Sequence, residues 1–211
     1  MRFLCLHGAG TSGEIFELQS GGITQSLEAK GHRFTFINGR LESEPEPELK
    51  GVLDPPFYNH YSRNAAPGED LARAIEHTMR IIETQGPFDA VMGFSQGAAL
   101  AFSLLVNHAK IHGVPLFKAA VFICGAAPFE PSGRETIKST PGEYLVKIPT
   151  AHIVGKQDQL YDTGLYLYGL CEPSKAEFYD HGSRHMIPFD GKNTEAMVSA
   201  IEKTIERMTK E

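Results

Sequence analysis

The stretch VMGFSQGAAL, Val91 to Leu100, sets a serine between two glycines where an apolar strand pattern gives way to a helical one. Gly93-Phe94-Ser95-Gln96-Gly97 has the Gly-x-Ser-x-Gly form of a nucleophile elbow, with the strand before and the helix after that such a turn requires. The turn pushes the serine hydroxyl out above the sheet, and glycines two residues to either side remove Cβ atoms that would clash. A helix beginning at Gln96 also aims its first amide and its dipole at negative charge forming beside the serine. The bland alternative is a glycine-bounded packing turn, and the rest of the chain has to decide between the two.

Outward from the elbow, apolar runs read as strands at RFLCLH (2–7), RFTFIN (33–38), DAVMGF (89–94), KAAVFICG (118–125), TAHIVG (150–155) and AEFYD (176–180), with helix-compatible segments between most of them. That alternation predicts an α/β fold, a mostly parallel central sheet flanked by helices. Leu71, Ile75, Met79 and Ile82 form one apolar helix face, and Met197, Val198, Ile201, Ile205 and Met208 another. The helix after Ser95 is apolar nearly all round, which predicts a central helix and places Ser95 near the middle of the sheet. Residues 1–211 read as one domain, without repeats or low-complexity tracts.

One stretch breaks the alternation. Residues 39–67 carry Pro45, Pro47, Pro55 and Pro56 together with Phe57, Tyr58 and Tyr61, and are expected to form an irregular insertion loop serving as lid or pocket wall. Ala127 to Ile148, with Phe129, is expected to supply the opposite wall.

With 41% hydrophobic and 22% charged residues the chain has globular composition. A formal charge of -6 and the lack of any lysine or arginine cluster argue against nucleic acid as a partner. No segment approaches the roughly 20 apolar residues that span a bilayer, so no membrane association is expected. Cys5, Cys124 and Cys171 are an odd number in apolar surroundings, which suits reduced buried thiols and a cytoplasmic location.

Serine is a poor nucleophile unless a base takes its proton and an acid orients that base. In folds of this kind the chain order is serine, acid, histidine. Asp158 follows the strand at 150–155, at the C-terminal edge where α/β sheets place their working groups; Asp162, Asp180 and Asp190 are less well placed. His181 and His185 both follow the last strand, and His185 is preferred because it leaves chain enough to return over the sheet edge. Of the other histidines, His7, His60, His77, His108, His112 and His152 read as structural or exposed. An oxyanion needs two donors, for which the amide of Gln96 and that of Ala9, in the glycine-rich loop LHGAGTSG (6–13), are the candidates. A phosphate cradle at that loop lacks the Gly-Lys-Ser/Thr ending and the Gly-x-Gly-x-x-Gly register. No His, Cys, Asp or Glu group has metal-site spacing, so neither metal nor cofactor is expected.

With these elements in order, the sequence resembles the FSH-type serine hydrolases of the α/β-hydrolase superfamily across nearly its whole length. The likeness is carried by LHGAGTSGEIF, ESEPEP, PPFYNHY, GFSQGAALA, VFICGAAP, IPTAHIVGKQD and HMIP. It implies the α/β-hydrolase fold, with Ser95 as nucleophile, His185 as general base and acid, Asp158 as its orienting partner, and Ala9 and Gln96 as oxyanion donors. The chain departs from the family's pattern at Ser183 and Arg184, where two glycines tend to precede the histidine, and at Cys124, where serine is frequent. Arg184 would alter the charge near the acyl or leaving group.

The resemblance implies a carboxylesterase or thioesterase, and for fungal members release of polyketide acyl chains from carrier domains. A thioesterase acting on a polyketide or fatty acyl chain in secondary metabolism is therefore the expected activity. The substrate would be a small or carrier-bound acyl compound, with an acyl-carrier domain of a synthase as partner and Phe57, Tyr58, Tyr61 and Phe129 lining the pocket. The competing expectations are a small-molecule carboxylesterase, acyl transfer or cyclisation by the same residues, and a binding module that keeps the fold without turnover.

Overall fold

A computed structural model describes residues 1–63 and 66–209; Asn64 and Ala65, which fall in the expected insertion loop, lie outside the described residues. In chain order the elements are β1 (Arg2–Leu6), α1 (Gly13–Gln19), α2 (Gly21–Glu28), β2 (Arg33–Ile37), β3 (Leu41–Ser43), β4 (Phe57–Asn59) and α3 (Glu69–Gln85). They continue with β5 (Ala90–Phe94), α4 (Gln96–His112), β6 (Ala119–Ile123), β7 (Thr150–Val154), α5 (Tyr161–Gly169), β8 (Ala176–Asp180) and α6 (Gly191–Met208). All six strands expected from the apolar runs are present, in a six-stranded sheet of order β2-β1-β5-β6-β7-β8. Every pairing within it is parallel.

The period-2 alternation of side chains along each strand divides two cores. Leu4 and Leu6 of β1, Val91 of β5, and Ala120 and Phe122 of β6 face one side, where they pack with α3, α4 and Leu167 of α5. Phe3 and Cys5, Ala90 and Met92, and Ala119 and Val121 face the other, against Phe16 of α1, Ile23 and Leu27 of α2, and Met197 and Ile201 of α6. Both faces are covered, which is why these strands read as continuous apolar runs. α3 buries Leu71, Ala74, Ile75 and Thr78, and α6 buries Met197, Val198, Ala200 and Ile201. Residues Gln96 to Leu105 of α4 are all buried, as its unbroken apolar pattern requires.

The chain starts on an inner strand, runs outward to β2, then crosses back to β5, so the order reverses between β1 and β5. Open α/β sheets bind ligands in the crevice at such a switch point, outside the carboxyl ends of the strands. The elbow and the loop after β1 meet there.

The described part of the segment 39–67 holds more regular structure than its prolines suggest. β3 and β4 form a two-stranded antiparallel sheet, and Pro47–Leu49 makes a single 3₁₀ turn. Its backbone is sewn to the β1–α1 loop, with Tyr58 donating to the carbonyl of Thr11 (2.6 Å), Gly10 to that of Tyr58 (3.0 Å) and Glu46 to that of Gly10 (2.9 Å). Gly10 has φ 66, and a Cβ there would lie 2.5 Å from the backbone nitrogen of Glu46, so only glycine admits this approach. Among the described residues no helix is long and apolar enough to cross a membrane, and Cys5, Cys124 and Cys171 are free and buried.

Candidate active site

Ser95 stands between β5 and α4 with φ 54 and ψ -114, a conformation rarely open to a residue bearing a Cβ. Strain of this kind costs on the order of 1–3 kcal/mol and survives only where the surroundings over-determine it. Here they do. A Cβ on Gly93 would lie 2.5 Å from the carbonyl of Gly97, and one on Gly97 would lie 2.0 Å from the carbonyl oxygen of Leu6. The elbow is thus wedged between its own helix and the end of β1, and the N–H of Ser95 extends the ladder by donating to Ile123 (2.9 Å).

Three side chains from distant parts of the chain converge on it. Ser95 Oγ lies 2.9 Å from His185 Nε2, and His185 Nδ1 lies 2.7 Å from Asp158 Oδ2. Asp158 Oδ1 accepts the N–H of Leu160 at 2.8 Å. The carboxylate is 1% exposed and the imidazole 22%. Burial disfavours charge on Asp158, but the hydrogen bond from His185, with that from the Leu160 amide, outweighs it and holds the carboxyl below its usual range. An ionised, buried carboxylate accepting from Nδ1–H leaves Nε2 as an acceptor facing the hydroxyl, the tautomer that proton removal from Ser95 requires.

The other acidic candidates serve elsewhere. Asp180 Oδ1 accepts the amides of Lys156 (2.9 Å) and Gly182 (2.7 Å), Asp190 caps α6 through the amide of Asn193 (3.0 Å), and Asp162 lies in the first turn of α5. The acid and base loops are also tied directly, since Gln157 donates its backbone N–H to Ser183 (3.1 Å) and its side-chain amide to Gly182 (2.9 Å).

Gln96 and Ala9 flank Ser95. The amide of Gln96 heads α4 and has no acceptor within the helix. In the β1–α1 loop the amide of Gly10 is bonded to Asn59 Oδ1 (2.8 Å) and to Tyr58, whereas that of Ala9 has no protein acceptor among the described residues. Gly8 brings this loop close, because a Cβ on it would touch Phe94 at 2.9 Å and the Cβ of Ser95 at 3.5 Å.

A buried polar cluster beneath the loop escaped the sequence reading. His7 Nδ1 faces the carbonyl of Gly8 (2.6 Å), its Nε2 accepts the N–H of Gly39 (2.8 Å), and its ring stacks on His60 at 4.4 Å. The Gln96 side chain takes the N–H of His60 (2.8 Å) and donates to the carbonyl of Tyr61 (3.0 Å), fastening the end of the insertion to the elbow. Burial, which penalises an imidazolium, lowers His7 from 6.5 to about 4 and puts His60 well below 6.5. The glutamine inside the elbow was the available signal; nothing local marks Asn59.

A cleft of about 520 Å³ opens over Ser95 and His185. Tyr61 and Phe129 line it, with Leu49, Leu160, Met186 and Phe189. Phe57 and Tyr58, expected there, are not among its walls: Phe57 is buried at 5%, and Tyr58 acts through its backbone. Pairing of β4 with β3 and with Thr11 commits them to the hairpin. Arg184 is exposed and outside the lining, while Glu46, Glu48 and Arg63 stand on the wall with Arg63 paired to Glu46 at 2.7 Å. Of the 127–148 stretch only Ala127 and Phe129 reach this cleft. Other residues of that stretch, among them Ile137 and Val146, border a groove of about 1060 Å³ along the far half of α4, which contains none of the three converging residues.

Comparison with known proteins identifies the family and the fold. The family model described as "Serine hydrolase (FSH1)" matches residues 1–197. The chain is 31% identical to Esterase FPY3 of Fusarium mangiferae, covering 97% of each chain. It is 30% identical to Hydrolase phiM of Talaromyces stipitatus, over 96% of this chain and 87% of that one. A solved carboxylesterase from Mesorhizobium loti superposes with a TM-score of 0.62 at 15% identity, covering 96% of this chain and 88% of that one, a likeness of fold. The chain belongs to the FSH1 serine hydrolase family and is an enzyme of the α/β-hydrolase fold.

Proposed function

We propose that Ser95, His185 and Asp158 are the nucleophile, the general base and its orienting acid in hydrolysis of an acyl ester or thioester. The observation that carries this reading is the unbroken relay from Ser95 Oγ through His185 to Asp158, at 2.9 and 2.7 Å, on the floor of a cleft. Ser95 Oγ attacks the acyl carbonyl as His185 Nε2 takes its proton, and the amides of Gln96 and Ala9 receive the oxyanion. The imidazolium, steadied by Asp158, returns the proton to the departing alcohol or thiol. Water, deprotonated by His185, then releases the acid and restores the serine.

The acyl chain lies, in this reading, along Tyr61, Phe129, Leu160 and Met186, with the 39–67 insertion as one wall. A thioester of a polyketide or fatty acyl chain is the proposed substrate, delivered by an acyl-carrier domain. The apolar side chains at the rim, Phe189 at 70% exposure and Met186 at 40%, support a substrate that carries apolar surface to the mouth. Glu46 and Glu48 there argue against charge steering of an acidic carrier. The second reading is a carboxylesterase for small oxygen esters, favoured by the name esterase of the relative FPY3.

The deciding experiment compares initial rates on matched acyl thioesters and oxygen esters over several chain lengths, with Ser95→Ala as control. A Ser95-dependent preference for thioesters is expected. Cleavage of short oxygen esters alone would replace it with the second reading, and undiminished turnover by Ser95→Ala would overturn the mechanism.

A further inference from the structure

We infer that Cys124 is a positioning residue for this reaction, its thiol set by His181 to steady the Asp158 carboxylate on which His185 is oriented. The inference rests on the triad reading above and adds a residue to it. Cys124 is the first residue past β6, beside Ser95 at the end of β5, and its N–H donates to Ile153 at 2.8 Å. Its φ is 47; among the described residues Ser95 and Cys124 are the non-glycine residues held at positive φ. Such backbone strain concentrates at functional sites.

The thiol lies where three segments meet, the end of β6, the loop carrying Asp158 and the segment carrying His185. Sγ is 3.6 Å from His181 Nε2 and 3.7 Å from the carbonyl of Met186, the residue after His185. One ligating atom each of Cys124, Asp158 and His185 lie within 4.8 Å of one another. His181 Nδ1 accepts the N–H of Ser183 at 3.2 Å, so its ring proton sits on Nε2 and points at the sulfur. The thiol's own proton is then directed at the carbonyl of Met186, with the Asp158 carboxylate the other acceptor within its reach. The His181 ring is confined against the acid loop, since a Cβ on Gly155 would lie 2.5 Å from His181 Cε1.

The chemistry suits a donor and not a second nucleophile. Burial, and after it the negative charge of Asp158, push the thiol well above its ordinary range and keep it protonated. Asp158 already accepts from His185 and from Leu160, and the sulfur stands within 4.8 Å of a carboxylate oxygen, where in this inference the thiol serves as a further, weaker donor that limits how the carboxylate turns. Asp158 is the charged group acting on the thiol, and Asp180, Asp158 and His185 surround His181. Asp180 Oδ1 is occupied by two backbone amides.

The test measures kcat and KM against pH on a chromogenic acyl ester for the wild type, Cys124→Gly, Cys124→Ser and Ser95→Ala. Glycine suits a φ of 47, so Cys124→Gly removes the thiol while relieving the backbone; Cys124→Ala repeats the comparison with the Cβ kept. A weak donor to a charged acceptor predicts a fall in kcat of about 5- to 20-fold in Cys124→Gly with KM within about twofold. Without that donor the carboxylate faces His185 with more of its charge, favours the imidazolium, and moves the acidic limb of kcat/KM to higher pH. Cys124→Ser, which keeps a donor, is expected to restore both. Wild-type kcat and an unmoved limb in folded Cys124→Gly or Cys124→Ala would overturn the inference, as would equal losses in the serine variant. Full activity in Ser95→Ala refutes the triad reading instead, and its loss there beside an unaffected Cys124→Gly refutes this inference alone.

Discussion

Acidification from about pH 7 to about pH 5 is expected to remove about 4 kcal/mol of folding stability through two buried histidines. His7 and His152 are 0% and 1% exposed. Burial lowers His7 to about 4 and His152 to about 3, from 6.5. The unfolded chain takes up protons at these rings as pH falls through its own value, while the native chain, with depressed values, does not. Stability is therefore full above about 6.5, declines below it, and stops declining under the folded values. Because both folded values lie below pH 5, the loss at that pH is governed by the unfolded value, about 2 kcal/mol for each ring. His60 acts in the same direction, and carboxylates such as Asp158, held low, keep their charge at pH 5 and add little. Urea denaturation at the two pH values gives the total, to which His60 also contributes, and His152→Phe isolates the share of that one ring. That ring sits between Phe122 and Tyr168, each at 5.2 Å, so phenylalanine has aromatic company there. The variant is expected to shrink the pH-dependent difference by about 2 kcal/mol. An undiminished difference in His152→Phe, or equal wild-type stability at both pH values, would refute the reasoning.

Ser95→Gly is expected to raise stability by about 1 kcal/mol while abolishing turnover, since glycine accepts φ 54 without strain; a lowered urea midpoint would contradict it. Gly97→Ala is expected to cost about 3 kcal/mol, because its Cβ would meet the backbone of Leu6 at 2.0 Å and of His7 at 2.7 Å, with no flexible side chain to give way. A thermal midpoint within two degrees or so of wild type would show that β1 and α4 can separate at little cost.

Much of the architecture was legible because its causes are local. All six sheet strands appear where apolar runs placed them, within two residues at each end. The glycines of the elbow are demanded by contacts inside five residues and by the approach of β1. The site was legible more narrowly. Asp158 and His185 were reached by chain order and distance from the sheet edge, and the structure brings both to Ser95. The hairpin in 39–67, the burial of Phe57, and the His7–His60–Gln96–Asn59 cluster were not reached, because each depends on segments that approach only after folding.

The sequence by itself determined the α/β alternation and the exposed serine, for strands covered on both faces must be apolar throughout and a sharp strand-to-helix turn must be bounded by glycine. Between two histidines four residues apart the sequence offered only a preference for His185 from the length of chain after the last strand, and the tertiary structure alone supplied the contact that decides it. His181 directly continues β8 and lies against the Cys124 sulfur, while the turn through Gly182 to Arg184 carries His185 back over the sheet edge to a serine 90 residues away. No local periodicity encodes that choice, because it is made by the path of a loop and by the carboxylate already waiting at the end of β7.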